Sequence, residues 1–146
     1  MSKPDRAKAL IAVTFTLLAC ATKAAPNASA EESSKQCRAL VAQLYQEAWP
    51  KGGTDDGGAQ AKFESHYNTK LNKCLYLETV SEVIRSPALN RILPRETQRL
   101  ADANEKKDYG KYDSWSDGPP VRCWLNQKKC SSKQEWERLI KPYMED

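Results

Sequence analysis

The most regular hydrophobic pattern in this chain lies close to its end. Apolar residues recur there at intervals of three or four, which places them on one face of a helix: Trp136, Leu139, Ile140, Tyr143 and Met144. Ser132 and Glu135 precede this helical face with the spacing of a capping box, in which both side chains satisfy free N–H groups of the first turn. The pattern predicts a C-terminal helix that packs one apolar face on the core.

A second helical pattern covers residues 34–49. Its apolar positions again share one face: Cys37, Leu40, Val41, Leu44, Tyr45 and Ala48. Ser33 or Ser34 is suited to cap the N-terminus, and Pro50 ends the pattern before a glycine-rich stretch over residues 51–59. We therefore expect an N-terminal helix that is followed by a flexible loop.

Strand-forming residues are concentrated in three other segments. Residues 73–80 carry apolar or aromatic side chains on both sides of a two-residue alternation, as a strand buried on both faces does. Residues 97–103 and 121–125 are the other candidates, and residues 63–72 form an extended or single-turn lead-in to the first strand. We expect an α+β fold, a small antiparallel sheet of about three or four strands packed with an N-terminal and a C-terminal helix.

Two further segments do not follow a clear period. Pro87 and Pro94 interrupt residues 81–94, which we expect to be a loop with short regular pieces. In the other segment aromatic residues recur three apart, which fits a short helical turn or an irregular aromatic edge: Tyr109, Tyr112 and Trp115.

The first twenty residues have the layout of an export signal. Basic residues precede an apolar stretch of about 11 residues, residues 9–19, which is too short to span a bilayer. The stretch ends in Leu17, Leu18, Ala19 and Cys20, and this ending resembles the lipobox of bacterial lipoproteins. The resemblance implies cleavage before Cys20 and acylation of that cysteine by fatty acids such as palmitate.

The resemblance divides the chain into three parts. Residues 1–19 are the signal peptide, residues 20–32 the lipidated N-terminus and flexible tether, and residues 33–146 a single disulfide-stapled domain. In the enteric lipoproteins that this ending resembles, aspartate after the cysteine retains the protein in the inner membrane. Ala21 occupies that position here, so the resemblance implies the outer membrane, with the domain on its periplasmic face. The alternative is an ordinary secretory signal cut near Cys20 or before Glu31, whose product is soluble in the periplasm or secreted.

The charge of the chain bears on one class of partner. It has 23 Lys and Arg residues against 19 Asp and Glu residues, a formal net charge of +4. Removal of residues 1–19 takes away three basic residues and one acidic one, which leaves about +2. Because this balance is mild and the chain is expected to be exported, we expect no nucleic acid among its partners.

Four cysteines remain beside Cys20: Cys37, Cys74, Cys123 and Cys130. An even number in an exported chain predicts two disulfides, for which three connectivities exist. We favour Cys37–Cys74, which ties the first helix to a strand, and Cys123–Cys130, which closes a short connection. The alternative is a zinc site of four cysteines, or of three with His66. No Cys-x-x-Cys pair is present and export is oxidising, so we expect neither metal nor other cofactor.

Two motifs stand out in the predicted domain. One is His-Tyr-Asn-x-x-Leu-Asn-Lys-Cys over residues 66–74, and the other runs from Cys123 through Cys130 into Ser-x-x-Glu-Trp-x-x-Leu and Pro-Tyr-Met. They resemble motifs of small exported bacterial proteins, often with lipoprotein signals, whose function is not established. The resemblance covers most of residues 33–146. It implies one domain with cysteines at these positions, and it implies no activity and no catalytic residues.

His66 is the only histidine in the chain, and histidine is the residue type that most readily exchanges a proton near neutral pH. It would be the general base of a small periplasmic hydrolase. Ser65, Ser81 and Ser114 are the candidate nucleophiles, and none of them lies in a recognisable catalytic motif. The structural alternative is a histidine that organises the turn before Cys74. No nucleophile elbow, phosphate loop or haem motif accompanies it, so we assign no catalytic residue.

Aromatic residues of the second half of the chain alternate with basic ones. Tyr109, Tyr112, Trp115 and Trp124 lie among lysines and arginines, and aromatic anchors with cationic neighbours suit protein interfaces or glycan polymers. Together with His66 they form the candidate binding surface. The alternative is that about half of these aromatics fill a small core.

These inferences predict a membrane-anchored, non-enzymatic envelope lipoprotein, with a periplasmic hydrolase as the alternative. We expect the lipid on Cys20 to hold the protein at the membrane and the domain to bind an envelope protein or a cell-wall partner. An inhibitor or immunity protein against an envelope-directed toxin would be one such use.

Overall fold

The computed structural model describes residues 26–86, 90–116 and 118–146. The predicted signal peptide, the lipidation of Cys20 and the start of the tether lie outside these residues. Eight elements make up the described chain: α1 (Pro26–Ala48), β1 (Gln60–Asn68), β2 (Lys73–Ser86), β3 (Arg91–Asp102), β4 (Lys107–Trp115), β5 (Pro120–Leu125), β6 (Lys128–Lys129) and α2 (Lys133–Met144).

The strands form one antiparallel sheet in which each strand pairs with its neighbours in sequence, in the order β1-β2-β3-β4-β5-β6. Short turns connect β1 to β2, β3 to β4 and β5 to β6, and each contains a residue in the left-handed region: Asn72 (φ 53°), Lys106 (φ 51°) and Asn126 (φ 45°). The α+β class is confirmed. With six strands in the described chain, the sheet is larger than the three or four that we expected.

Three strands were not predicted: β1 includes the expected lead-in to β2, β4 contains the aromatic segment, and the short β6 follows β5. Two predicted strands are also longer than expected. β2 continues to Ser86, and β3 begins at Arg91 and contains Pro94, so the loop predicted for residues 81–94 is wrong. The carbonyl of Pro94 accepts a hydrogen bond from the N–H of Ser116 (2.6 Å), at the point where β4 ends. The N–H and C=O of a strand residue point to the same edge of the strand, so the nitrogen of Pro94 also points toward the end of β4. Within the described chain, no strand partner there needs a hydrogen bond from this nitrogen, which is why proline is tolerated.

The two helices lie on opposite sides of the sheet. Consecutive strand residues point to opposite faces, and β2 shows this directly, since Leu75 packs in a cluster with Trp136 of α2, whereas Tyr76 packs in a cluster with Val41 of α1. All four of these side chains are buried. The first half of β2 is therefore buried on both faces, as the pattern of residues 73–80 predicted, and the domain has three layers.

α2 is the predicted C-terminal helix. Its N-cap is Ser132, whose side chain accepts a hydrogen bond from the N–H of Glu135 (3.2 Å). The carboxylate of Glu135 reaches back to the N–H of Ser131 (2.9 Å), one residue earlier than in the usual capping box. Trp136 is fully buried and donates a hydrogen bond from Nε1 to Oε1 of Gln98 (2.6 Å), which fixes the helix on the sheet.

α1 begins at Pro26, earlier than the predicted residue 34 and inside the segment expected to be a tether. It runs along β1 and β2. Cys37 is bonded to Cys74 at the start of β2 (Cα–Cα 5.3 Å), and the Tyr45 hydroxyl donates to the carbonyl of Ala61 at the start of β1 (3.1 Å). The helix therefore starts at the end of the sheet that holds the β1–β2 turn and finishes at the other end.

The second disulfide joins Cys123 to Cys130 (Cα–Cα 5.0 Å). It connects the middle of β5 to the segment just before α2. The N–H of Cys130 also donates to the carbonyl of Cys123 (3.1 Å), so the disulfide and the backbone close the same turn. Both favoured disulfide pairings are thus present in the structure.

Candidate functional site

Half of the sheet is uncovered on the side that carries α1. The helix packs on β1 and β2, and within the described ranges no other helix lies on that side of β3, β4 and β5. The strand register identifies the side chains that point to this surface, and most are charged or aromatic. We call it the open face: Glu78, Glu82, Arg95, Arg99, Lys111, Asp113, Trp115, Arg122 and Trp124.

Arg95 is the centre of one group of charges on the open face. Its Nε and Nη2 atoms donate to the two carboxylate oxygens of Asp113 (2.9 and 2.7 Å), a bidentate arrangement. Its Nη1 atom donates to Glu82 (3.1 Å). The ring centre of Trp115 lies 5.1 Å from the guanidinium carbon, within the range of a cation–π contact. Two carboxylates and one aromatic ring therefore hold this guanidinium in place.

Arg99 is the centre of the second group. Its Nε atom donates to Oε2 of Glu78 (2.8 Å), its Nη1 atom lies 3.4 Å from Oδ1 of Asp108, and its guanidinium carbon lies 5.5 Å from the ring centre of Tyr76. The other oxygen of Glu78 accepts a hydrogen bond from Nε1 of Trp49, just after α1 (3.2 Å). This group therefore connects the edge of the open face to the helix beside it.

The contact between Arg95 and Asp113 shifts the pKa values of both side chains. Hydrogen bonds from Arg95 hold the pKa of Asp113 below its ordinary value of 3.8 although burial opposes this shift, and the same bonds raise the pKa of Arg95. Asp113 is 4% exposed, so its charge is kept away from water and compensated by one fixed partner. The charges of the open face are in place before any partner arrives.

Trp115 and Trp124 border these charges. In the register, Trp115 lies opposite Arg95, Arg122 opposite Asp113, and Trp124 opposite Lys111. Both tryptophans are half-buried, whereas Arg122 is exposed and makes no ion pair within the part of the chain that the structure describes. Indole rings and arginines beside a rigid polar group are the side chains that contribute most at protein interfaces.

The structure divides the aromatic residues of the predicted binding surface between the two sides of the sheet. Trp115 and Trp124 lie on the open face. Tyr112 is buried under α2, where its ring stacks on Trp136, and Tyr109 packs on the same side against α2. The tryptophans are thus available to a partner on one surface, while the tyrosines belong to the core on the other side.

His66 lies in β1 on the α2 side of the sheet, opposite Leu75. Its Nε2 atom is buried with no hydrogen-bond partner in the described residues, and lies 3.5 Å from Oδ1 of Asp146, an electrostatic contact too long for a good hydrogen bond. Burial opposes ionisation of Asp146, but the N–H of Thr69 (3.1 Å) and nearby His66 together lower the pKa of this carboxyl. His66 therefore helps to hold the segment after α2.

The motif over residues 66–74 forms the β1–β2 turn. Asn68 is fully buried, and its amide nitrogen donates to the carbonyls of Pro142 (3.0 Å) and Tyr143 (3.2 Å) at the end of α2, while its oxygen accepts from the N–H of Leu71 (2.9 Å). The Tyr67 hydroxyl donates to the side chain of Asn72. The two asparagines therefore hold the turn, and Asn68 also caps α2.

A cavity of about 480 Å³ opens beside the start of α2, where Glu96, Ser114 and Lys133 are among its lining residues. The Lys133 ammonium lies 3.0 Å from a carboxylate oxygen of Glu96, and this hydrogen-bonded contact raises the pKa of Lys133. The lysine is therefore held as a cation and is a poor general base for Ser114. His66 does not line this cavity.

Sequence reasoning missed the charged residues at the centre of the open face. Arg95, Thr97 and Arg99 alternate as one face of a strand, but the loop predicted through residue 94 hid the start of β3. Asp113 gave no signal, because its importance comes from the pairing of β3 with β4, which brings it to Arg95. The alternation of charged residues from position 95 onward was the signal that could have located the face.

Comparisons of the chain with protein-family models, with curated proteins and with solved structures find no match. In the described ranges, no group of three or more His, Cys, Asp or Glu side chains is placed to hold a metal ion. Neither described helix is long and apolar enough to cross a membrane. The function is therefore inferred from the geometry of the open face and from the sequence.

Proposed function

We propose that this protein is an envelope lipoprotein, anchored through Cys20, that binds a protein partner through its open face without catalysing a reaction. The observation that carries the binding part is the rigid group of Arg95, Asp113 and Trp115 on the uncovered half of the sheet. Side chains that are already fixed lose little conformational freedom when a partner docks, so more of the contact energy appears as affinity.

A protein suits this face better than a cell-wall glycan. The face presents both signs of charge within a short distance, because Glu78 and Arg99 lie beside Lys111 and Arg122. A protein surface offers complementary charges of both signs, whereas a glycan binds best to flat, free aromatic rings. The ring of Trp115 already lies against Arg95. We therefore favour an envelope protein as the partner.

The placement of α1 agrees with an anchor at the start of the chain. Residues 26–36 precede the disulfide at Cys37 and add about 16 Å of helix. This helix begins at the end of the sheet that holds the β1–β2 turn, which we call the tethered end. A lipid on Cys20 would attach there, and the outer-membrane location favoured by Ala21 belongs to the same proposal.

Inhibition of an envelope-directed toxin is one use that such a module would have. We do not propose the hydrolase alternative, because no observation favours it. His66 contacts Asp146 beyond α2, and the serine in the cavity beside α2 has a charged lysine rather than a free base near it.

Replacement of the acylated cysteine tests the anchor. We expect Cys20→Ser to move the protein from the membrane fraction to the soluble fraction, because the acyl chains supply the binding energy for the bilayer. Fractionation of cells followed by immunoblotting measures this distribution, with Ser33→Ala in α1 as a control that leaves the signal and both disulfides unchanged. Membrane association that is unchanged in Cys20→Ser would contradict the anchor.

Affinity capture tests the binding part. We expect the immobilised protein, produced without its first 20 residues, to retain a specific protein from envelope extract in near-stoichiometric amount. Quantitative mass spectrometry against a blank matrix measures the enrichment. If no protein is enriched under conditions that keep both disulfides intact, the proposed binding function is wrong.

A further inference from the structure

The hairpin of β2 and β3 extends beyond both neighbouring strands. β1 begins opposite Ser81, and β4 ends opposite Arg95, so residues 82–86 have strand partners only in residues 91–95 of the described chain. We call residues 82–86 and 91–94 the arm. At the base of the arm, the N–H of Ser116 also donates to the carbonyl of Pro94. The five residues from position 82 to position 86 give it a length of about 16 Å beyond the sheet.

The arm exposes apolar side chains. Val83 is 63% exposed and Ile92 is 58% exposed, and the register places both on one side of the arm, where Pro94 lies between them. Ile84 and Leu93 are opposite each other on the other side and are half-buried. A two-stranded hairpin with apolar side chains on both sides is marginal in water, and such exposure marks a surface that another molecule covers.

The arm is also positively charged. Arg85 and Arg91 are exposed and form no ion pair in the described residues, whereas Glu82 is neutralised by Arg95 at the base of the arm (Oε1 to Nη1, 3.1 Å). The Arg85 guanidinium therefore lies on the same side of the arm as Val83 and Ile92, and the Arg91 guanidinium lies on the other side, next to Leu93. The complementary surface is apolar in the middle and carries carboxylates at its edge.

The position of the arm argues against the anchoring membrane as the covering surface. The arm leaves the sheet at the end where α1 finishes, beside Gln60 and Arg95, and the tethered end lies at the opposite end. A chain anchored as proposed therefore directs its arm away from that membrane. A second copy is also disfavoured, because arm-to-arm packing would bring four guanidinium groups together.

We infer that the arm inserts into a cleft of a partner protein, where Val83 and Ile92 contact an apolar floor. Arg85 and Arg91, which lie on opposite sides of the arm, pair with carboxylates at the rim of that cleft. This inference rests on the proposed function and adds the recognition chemistry of the partner. Arg95 connects the two surfaces, since it lies at the base of the arm and in the charged group of the open face. One partner can therefore contact both.

Site-specific photocrosslinking in intact cells tests the arm. The full-length chain carries p-benzoylphenylalanine at position 92, and a second version carries it at position 124 on the open face. We expect an adduct with one protein at position 92 whose yield falls about fivefold or more in the double variant Arg85→Glu with Arg91→Glu. Arg85→Lys with Arg91→Lys keeps the charges and should keep the adduct, as should the control Arg138→Glu on the outside of α2.

The outcomes separate the arm from the proposed function. An adduct at position 124 without one at position 92 would show that the arm does not contact the partner, and binding through the open face would stand. The absence of a protein adduct at both positions would contradict both the role of the arm and the proposed binding function. An adduct at position 92 that contains only lipid, or a second copy of this chain, overturns the choice of partner. A protein adduct whose yield is unchanged in Arg85→Glu with Arg91→Glu would contradict the pairing of these arginines with carboxylates of the partner.

Discussion

Asp113 is the residue that holds Arg95 in place on the open face. Its carboxylate is 4% exposed and bound by two nitrogen atoms of Arg95. We expect Asp113→Asn to lower the free energy of unfolding by about 2 kcal/mol, because a charge-assisted bidentate contact becomes a neutral one. Urea denaturation at neutral pH measures the loss, and Asp56→Asn in the exposed loop before β1 is the control, for which we expect no significant change.

The same carboxylate predicts a dependence of stability on pH. Because its pKa in the folded protein lies below the ordinary value of 3.8, the contact stabilises the fold fully at higher pH and is lost as pH falls through the folded pKa. We expect the wild-type protein to lose stability below about pH 4 more steeply than Asp113→Asn does. Parallel curves for the two proteins would contradict the role of Asp113.

Gly110 shows how closely β4 approaches the core. A Cβ atom at this position would lie 2.6 Å from Cδ1 of Leu125 and 3.0 Å from the ring of Trp136. We therefore expect Gly110→Ala to destabilise the protein by about 1–3 kcal/mol, since buried groups would have to move. Gly57→Ala is the matched control, where the nearest atom is a side-chain oxygen of Asp55 at 3.3 Å and we expect a change within about 0.5 kcal/mol. Equal stability of the two variants, measured by thermal unfolding, would show that this part of the core is loosely packed.

Residue spacing explains why the helical turn considered for Tyr109, Tyr112 and Trp115 is wrong. A spacing of three residues suggests a helical turn, but Tyr112 and Trp115 lie in β4. An odd spacing in a strand sends side chains to opposite faces, so Tyr112 enters the core under α2 and Trp115 reaches the open face. The aromatic residues alone could not show this, because the alternation becomes visible only when the strand is known.

The two disulfides differ in the elements that they join. Cys37–Cys74 connects α1 to the sheet across a sequence separation of 37, whereas Cys123–Cys130 spans a separation of 7 next to α2. The loop-entropy model gives about 4 kcal/mol for the first and about 2.5 kcal/mol for the second. We therefore expect Cys37→Ser with Cys74→Ser to destabilise the protein more than Cys123→Ser with Cys130→Ser, as measured by chemical denaturation. The reverse order would show that α1 contributes little to the stability of the domain.

Elements with local signals could be predicted, and elements defined by pairing could not. Ser132 and Glu135 identified the start of α2, and the even set of cysteines led to the observed pairs. The outer part of the β2–β3 hairpin was missed because Pro87 and Pro94 are typical of loops, whereas its inner part over residues 73–80 and 97–102 was predicted as strand. Pro94 is compatible with β3 only because it lies where β4 ends, a fact of the sheet rather than of the local sequence.

At the scale of the whole molecule, the fold separates the proposed anchor from the proposed binding surfaces. α1 starts at the tethered end, whereas the arm and the exposed Val121 lie at the opposite end of the sheet, and the open face lies between them. The sequence could predict an anchor and a set of aromatic residues. It could not predict that an antiparallel sheet of six sequential strands separates the anchor from the aromatic residues of the open face. A tethered module with its binding surface directed away from the membrane follows from this arrangement.

Capture of the partner by open-face variants tests the central claim most directly. The immobilised wild-type protein is compared with Trp124→Ala and with Leu71→Ala, whose side chain is 44% exposed at the tethered end. We predict that Trp124→Ala reduces the amount of captured partner about 30-fold, as expected for the loss of about 2 kcal/mol at an interface centre, and that Leu71→Ala retains it. Equal capture by all three proteins would contradict binding through the open face.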